Sequence, residues 1–291
     1  MKILRPETLT QALEFLKCNE GALPIAGFTD IAPALHNKKD SRIINATVGI
    51  DLSLLAELKN IDIKEDSVEI GALVTYSDIV KAKTIFPPQF DALVQASVAT
   101  GTPQVRNRGT IGGNLATASP AADLSVSLCV FDAAVRLKSA LGEREVCVTD
   151  FYISPRVSCV KSDELITSVY IKSPPSNVRS RFMKVGRRAG SSLSLVNMAI
   201  AAATKDGVFE TCCVCAGAVA PIPLRLHELE SFVAGKTFLE ISREEAIQLI
   251  RNAIDPISDL HAEAEYRRKT TGKMFYKLLE EIITKEKSQS D

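Results

Sequence analysis

Apolar side chains recur along this chain with a period that switches between about four and two, and the switches mark out its elements. Residues 2–4 read as a short strand. Pro6 is placed to open a helix in which Leu9, Ala12, Leu13 and Leu16 share one face. Residues 23–26 form a short apolar strand ending at Gly27, residues 31–36 resume a helical pattern, and residues 42–45 offer a third strand. The first fifty residues therefore predict a small β-α-β-α-β unit. A second unit follows, with strands at 68–73, 133–138, 145–149 and 165–172, the middle pair turning at Gly142. Helices are expected at 77–83, 90–99 and 123–130. Gly101-Thr102-Pro103 breaks the pattern, and residues 110–118 read as a loop ending at Ser119-Pro120. Pro174-Pro175-Ser176-Asn177 ends both kinds of ladder and is the best boundary in the chain. Beyond it come three strand-like runs, 181–185, 193–204 and 208–219, then helices at 243–254 and 266–283, with an unstructured tail expected after Lys285. The prediction is an α+β protein of three units, residues 1–57, 58–173 and 174–291.

Composition narrows the function classes. With 291 residues, 46% hydrophobic and 24% charged, the chain has the make-up of a globular protein with a sizeable core. Thirty-five basic residues balance 35 acidic ones, so no clustered positive field points to nucleic acid or an anionic membrane. The N-terminus lacks the apolar stretch of a signal peptide, and no run is long enough to span a bilayer, so a cytoplasmic protein is expected. The one C-x-x-C spacing among the seven cysteines, Cys212 to Cys215, lies inside the apolar run 208–219. On a strand, Cys213 and Cys215 face one way and Cys212 the other, which suits buried reduced thiols and not an iron–sulfur or zinc site. Only His36, His227 and His261 are available as imidazoles, and none is spaced to share a metal.

Two glycine-containing turns carry the candidate chemistry. Gln104-Val105-Arg106-Asn107-Arg108-Gly109-Thr110-Ile111-Gly112-Gly113-Asn114 places adjacent glycines where a backbone can approach a ligand and present its amides to an anion. Thr110 and Asn114 can add side-chain hydrogen bonds. A tight interdomain turn selects the same residues, and one short glycine motif does not separate the two. Ile25-Ala26-Gly27-Phe28-Thr29-Asp30 is a second strand-to-helix turn, whose amides would lie at a helix N-terminus. Asp123, at the start of a helical run, suits either sugar hydroxyls or a helix cap. Neither turn has the G-x-G-x-x-G spacing of a dinucleotide-binding Rossmann unit, and there is no Walker A lysine.

The motifs taken together resemble a known family. Ala26-Gly27-Phe28-Thr29-Asp30 resembles the A-G-G-T-D loop of FAD subunits of the xanthine dehydrogenase and carbon monoxide dehydrogenase family. Thr110-Ile111-Gly112-Gly113-Asn114, followed by Ala118-Ser119-Pro120-Ala121-Ala122-Asp123, resembles that family's second loop. Lys184-Val185-Gly186-Arg187-Arg188 and Tyr266-Arg267-Arg268 resemble its K-x-x-R-R segment and Y-R-R helix. Order, spacing and chain length agree along nearly the whole sequence. The resemblance implies an FAD-binding region of two α/β subdomains, of the vanillyl-alcohol-oxidase/PCMH type, plus a C-terminal α+β domain of antiparallel sheet and helices. It also implies that Ala26, Gly27, Phe28, Thr29, Asp30, Thr110, Gly112, Gly113 and Asn114 hold the FAD diphosphate, while Asp123 and Lys184 contact the cofactor. Leu115, Ala116 and Leu193 would border the flavin ring.

Phe28 departs from the family's usual glycine. If its backbone is left-handed, a phenylalanine costs about 1 kcal/mol or more; otherwise the loop has relaxed, or the diphosphate sits differently. The implied role is electron transfer inside a complex. Partners would be a molybdopterin-binding large subunit and a [2Fe–2S] small subunit, with NAD+ or another acceptor at the end of the chain. No side chain needs to act as general acid or base; Lys184 with Arg187 and Arg188 would either favour an anionic flavin or acceptor or stand as solvated strand-end charges. A stand-alone FAD-dependent reductase of the same fold and a non-catalytic assembly subunit are the other readings.

Overall fold

The computed structural model describes residues 1–38, 40–188 and 193–287, except for the side chains of Arg42 and residues 285–287. Three small parallel strands begin it: β1 (Lys2–Leu4), β2 (Leu23–Ile25) and β3 (Val48–Asp51), in the order β1-β3-β2. The first helix is Leu9–Cys18, not opened by Pro6; it is capped by Thr8, whose hydroxyl accepts from the Gln11 amide. Ala12, Leu13 and Leu16 bury its inner face against Ile50, Leu52 and Leu55. The third strand is not where the apolar pair Ile43-Ile44 suggests, since Ser41–Ile44 is a single helical turn. The strand runs instead through Val48-Gly49-Ile50. Gly49 lies between β1 and β2, where a Cβ would come within 2.9 Å of Ile3 and 2.7 Å of Ile25. A central position that leaves no room for a side chain reads as a turn residue in sequence, which hides the strand.

A five-stranded sheet follows, built from β4 (Ile61–Ile63), β5 (Ser67–Gly71), β6 (Ala134–Ser139) and β7 (Gly142–Cys147). After a small hairpin of β8 (Tyr152–Ser154) and β9 (Val157–Ser158), β10 (Leu165–Lys172) enters at the centre. The order is β4-β5-β10-β6-β7, antiparallel at every pair. The helices Tyr76–Lys81, Asp91–Ala99, Ile111–Thr117 and Asp123–Cys129 cover one face and form the largest core with it. Residues 110–118 are thus helical where a loop is expected. Two glycines weaken a helix by about 1 kcal/mol each, and here docking offsets that. Ile111 N–H donates to the Val74 carbonyl and Gly112 N–H to the Ala72 carbonyl, while Thr110 caps the turn.

The last sheet comprises β11 (Val178–Gly186), β12 (Ser194–Lys205), β13 (Val208–Gly217) and β14 (Leu224–Arg225) in sequential antiparallel order. Both faces are covered. Val196, Met198, Ile200, Phe209, Cys212 and Val214 meet the helices His227–Val233, Arg243–Ala253 and Ala264–Lys287. Ala199, Ala201, Ala203 and Cys215 face the other way into the larger core. The thiol alternation therefore holds, although Cys18 is exposed rather than buried. Two-sided burial also explains why residues 194–204 carry no polar alternation. The helix His227–Val233 is absent from the sequence reading, because its seven residues hold too few apolar repeats to register. The tail expected beyond Lys285 keeps a helical backbone to Lys287, and residues 288–291 lie outside the described residues. No helix among the described residues is long and apolar enough to cross a membrane.

Candidate functional site

One cleft of about 520 Å³ runs between the N-terminal sheet, the Ile111–Thr117 helix, the end of β11 at Lys184 and the start of β12 at Ser194, a size usual for small-ligand sites. All eleven residues singled out in the sequence border it: Ala26, Gly27, Phe28, Thr29, Asp30, Thr110, Gly112, Gly113, Asn114, Asp123 and Lys184. Ala116 and Leu193 border it too. Leu115 does not. It is fully buried in the large core, on the helix face opposite the cleft.

The two turns offer different things. Phe28 sits at φ +64°, so the loop has kept the left-handed conformation, and Asp30 follows in the right-handed region. The amides of Gly27, Phe28, Thr29 and Asp30 find no acceptor among the described residues, and they precede the Ile31–Asn37 helix. In the second turn the amides from Ile111 to Asn114 are already used. Ile111 and Gly112 donate to Val74 and Ala72, Gly113 donates to Thr110 Oγ1 at 3.0 Å, and Asn114 donates to the Thr110 carbonyl at 2.9 Å. Two sets of amides were expected; one is open. The second turn contributes the facing wall of the cleft, through Thr110, Gly112, Gly113 and Asn114.

Close packing fixes that wall. A Cβ on Gly27 would lie 1.8 Å from the Arg108 carbonyl oxygen, so only glycine lets the first turn touch the second. A Cβ on Gly112 would lie 2.7 Å from that of Ala72 and 2.8 Å from the Ala72 carbonyl oxygen. Asp30 ties the turns from the side: it pairs with Arg156 at 3.2 Å and accepts from Thr117 Oγ1 at 3.4 Å. Arg156 borders the cleft, and no sequence motif announced it.

The far end of the cleft is polar and buried. Asp123 begins the Asp123–Cys129 helix but caps nothing; Ala122 holds the cap position. Its carboxylate accepts from Lys184 Nζ at 2.5 Å, Ser194 Oγ at 2.5 Å and Asn197 Nδ2 at 2.7 Å. Lys184 also donates to the Ala99 carbonyl at 3.2 Å. The buried phenol of Tyr76 shares a hydrogen bond with Asn114; burial, reinforced by the Asp123 charge, pushes its pKa up and keeps it a neutral donor. Arg187 and Arg188 are exposed, and Arg187 reaches the Leu260 carbonyl at 3.4 Å. Arg267, of the Tyr266-Arg267-Arg268 motif, lies away from the cleft. It is buried, pairs with Asp259 at 2.9 and 3.0 Å, and donates to the carbonyls of Leu195 and Ala218, fastening the last helix to the sheet. Among the described residues no group of three or more His, Cys, Asp or Glu side chains is gathered as a metal site.

Residues 1–174 match the family described as the FAD binding domain in molybdopterin dehydrogenase. The chain belongs to that family. Residues 181–282 match its companion, the CO dehydrogenase flavoprotein C-terminal domain. The glyceraldehyde dehydrogenase medium chain of Sulfolobus acidocaldarius is 31% identical over 96% of this chain and 97% of its own length. The nicotinate dehydrogenase FAD-subunit of Eubacterium barkeri is 29% identical, covering 96% and 94%. Among solved structures, reconstituted CO dehydrogenase from Oligotropha carboxidovorans superposes with a TM-score of 0.90 at 25% identity, covering 96% of each chain. FAD is the cofactor of this family, and the α+β architecture is shared with it. The cleft fits the cofactor: four open amides match a diphosphate, and close glycine contacts at Gly27 and Gly112 hold the facing turn beside them.

Proposed function

We propose that this chain is the FAD-carrying medium subunit of a heteromeric molybdenum hydroxylase, with a molybdopterin-binding large subunit and a [2Fe–2S] small subunit as partners. The observation that carries the reading is the convergence of all eleven family-matched residues on one cleft with a single row of open amides. The relatives' descriptions as medium chain and FAD-subunit support the assembly. Residues 1–57 and 58–173 then form the two halves of the FAD-binding region, and residues 174–291 the C-terminal domain that closes it.

In this reading the amides of Gly27, Phe28, Thr29 and Asp30 hold the diphosphate, with Ala26 at the strand end behind them. Thr110, Gly112, Gly113 and Asn114 form the facing wall. Leu23, Pro24, Ile43, Leu52, Leu165 and Ile166 line an apolar end suited to the adenine. Asp123 and Lys184 define the polar end, where Ala116 and Leu193 border the flavin ring. FAD, when bound, supplies a carrier that takes electrons arriving from the partner's clusters and hands them to NAD+ or another acceptor. The chain's own task is to bind, orient and shield. Lys184 uses two of its three ammonium protons on Ala99 and Asp123, leaving one charge-assisted donor for an acceptor in the cleft.

Co-expression of the chain with its neighbouring subunits, followed by metal analysis and visible spectroscopy, tests the proposal. Flavin absorption in a complex carrying iron and molybdenum is expected. A flavin-containing chain that purifies alone and reduces a substrate by itself would favour the stand-alone reductase, and a colourless chain that FAD does not reconstitute would favour the assembly subunit.

A further inference from the structure

A row of three residues crosses the last sheet beside the polar end of the cleft. Lys184 on β11 is paired with Asn197 on β12, and Asn197 with Gly217 on β13. All three stand on the sheet face turned toward the Asp123–Cys129 helix. Asn197 is completely buried and does not border the cleft. Its Nδ2 donates to Asp123 Oδ1 at 2.7 Å and approaches the Ala121 carbonyl at 3.4 Å. Its Oδ1 has no partner among the described residues. An orphaned buried carbonyl works against stability, and the amide cannot be turned over, because its oxygen would then face the Asp123 carboxylate. An apolar residue would suit an alanine-rich strand better. Gly217 makes the arrangement possible: a Cβ there would lie 2.1 Å from Asn197 Oδ1.

We infer that Asn197 is a positioning residue for the cofactor, acting through Asp123 on Lys184, with Gly217 as the space that admits it. Ser194 and Asn197 both donate to Asp123 Oδ1, which fixes the carboxylate so that Oδ2 receives Lys184. Lys184 is thereby held with its third proton toward the cleft, where no acceptor exists among the described residues. The inference rests on the assignment of Lys184 as an FAD contact, made above.

The test is FAD titration of the flavin-free full chain, followed by flavin fluorescence, for the parent, Asn197→Leu, Lys184→Met and the double variant. Thermal unfolding is measured alongside. Asn197→Leu is expected to bind FAD roughly tenfold or more weakly, the scale of one hydrogen bond to a charged group. Its flavin-free form should melt close to the parent's temperature, because loss of the orphaned carbonyl offsets loss of the hydrogen bond to Asp123. In the Lys184→Met background the same change should alter affinity by less than about twofold, since coupled positions are not additive. Gly217→Ala, which displaces the carboxamide while keeping Asn197, should weaken FAD in the same way; Asn197→Ser replaces Asn197→Leu if the latter does not fold. Parent-like affinity in Asn197→Leu overturns the inference, as do fully multiplicative effects in the double variant. Parent-like affinity in Lys184→Met overturns the assignment of Lys184 itself, a different failure.

Discussion

Replacing Gly27 with alanine separates the two turns of the cleft without removing any polar group. The new Cβ would begin 1.8 Å from the Arg108 carbonyl oxygen and 2.6 Å from its carbon, against the 3.4 Å at which ordinary contact starts. The turns must therefore part by about 1.6 Å, and both atoms belong to backbone, so no side chain can swing aside. Overpacking of this kind costs about 1–3 kcal/mol, here concentrated between Ala26–Asp30 and Arg108–Gly109. The displaced segment carries the four open amides. A loss of about 2 kcal/mol corresponds to roughly 30-fold weaker binding. We expect Gly27→Ala to lower FAD affinity by at least that factor in a fluorescence titration, and to lower the unfolding midpoint in urea. Gly142→Ala is the control, since nothing lies within 4 Å of a Cβ there. FAD bound within twofold of the parent would refute the reasoning, because the cradle would then not depend on the approach of the two turns.

Three further outcomes follow from the same geometry. Phe28→Gly removes a left-handed strain of about 1–2 kcal/mol but adds chain entropy on unfolding of about 0.5–1 kcal/mol, and it forgoes the packing of a ring that is 36% exposed; stability should change by less than about 1 kcal/mol, with FAD binding retained, as thermal melts and titration will show. Asp259→Ala leaves Arg267 buried without its carboxylate and should destabilise the chain by about 3 kcal/mol or more in urea unfolding. Glu164 is held below its ordinary value of 4.5 chiefly by its bond to Arg144, with the Lys161 amide assisting. Its folded value is lower than its unfolded one, so its contribution is fully present above 4.5 and is lost as pH falls through the folded value. Urea midpoints of parent and Glu164→Gln should therefore converge as the pH is lowered below 4.5.

The site was legible in sequence to the extent that it depends on backbone. Gly27 and Gly112 are needed where two chain segments touch or a helix meets a strand, and such positions leave a mark in the residue type. Phe28 marked the left-handed position by contrast. What the sequence left hidden depends on pairing across distance. Arg156 reaches Asp30 from 126 positions away, and Asn197 reaches Asp123 from 74. Asn197 did carry a signal, as the one amide within the apolar run 193–204, but an isolated polar residue on a strand does not say what it faces. The bonding of the Ile111 and Gly112 amides is hidden for a related reason. Their acceptors, Val74 and Ala72, come from the segment after β5, and no local pattern shows that docking. In the fold, the strand at Val48–Asp51 was hidden by the glycine that lets it sit between two neighbours.

The most direct measurement is the structure of the full chain with FAD bound. The account predicts diphosphate oxygens within hydrogen-bonding distance of the amides of Gly27, Phe28, Thr29 and Asp30, with the flavin ring at the Lys184 end of the cleft. A diphosphate held elsewhere, with those four amides still lacking an anionic acceptor, would contradict it.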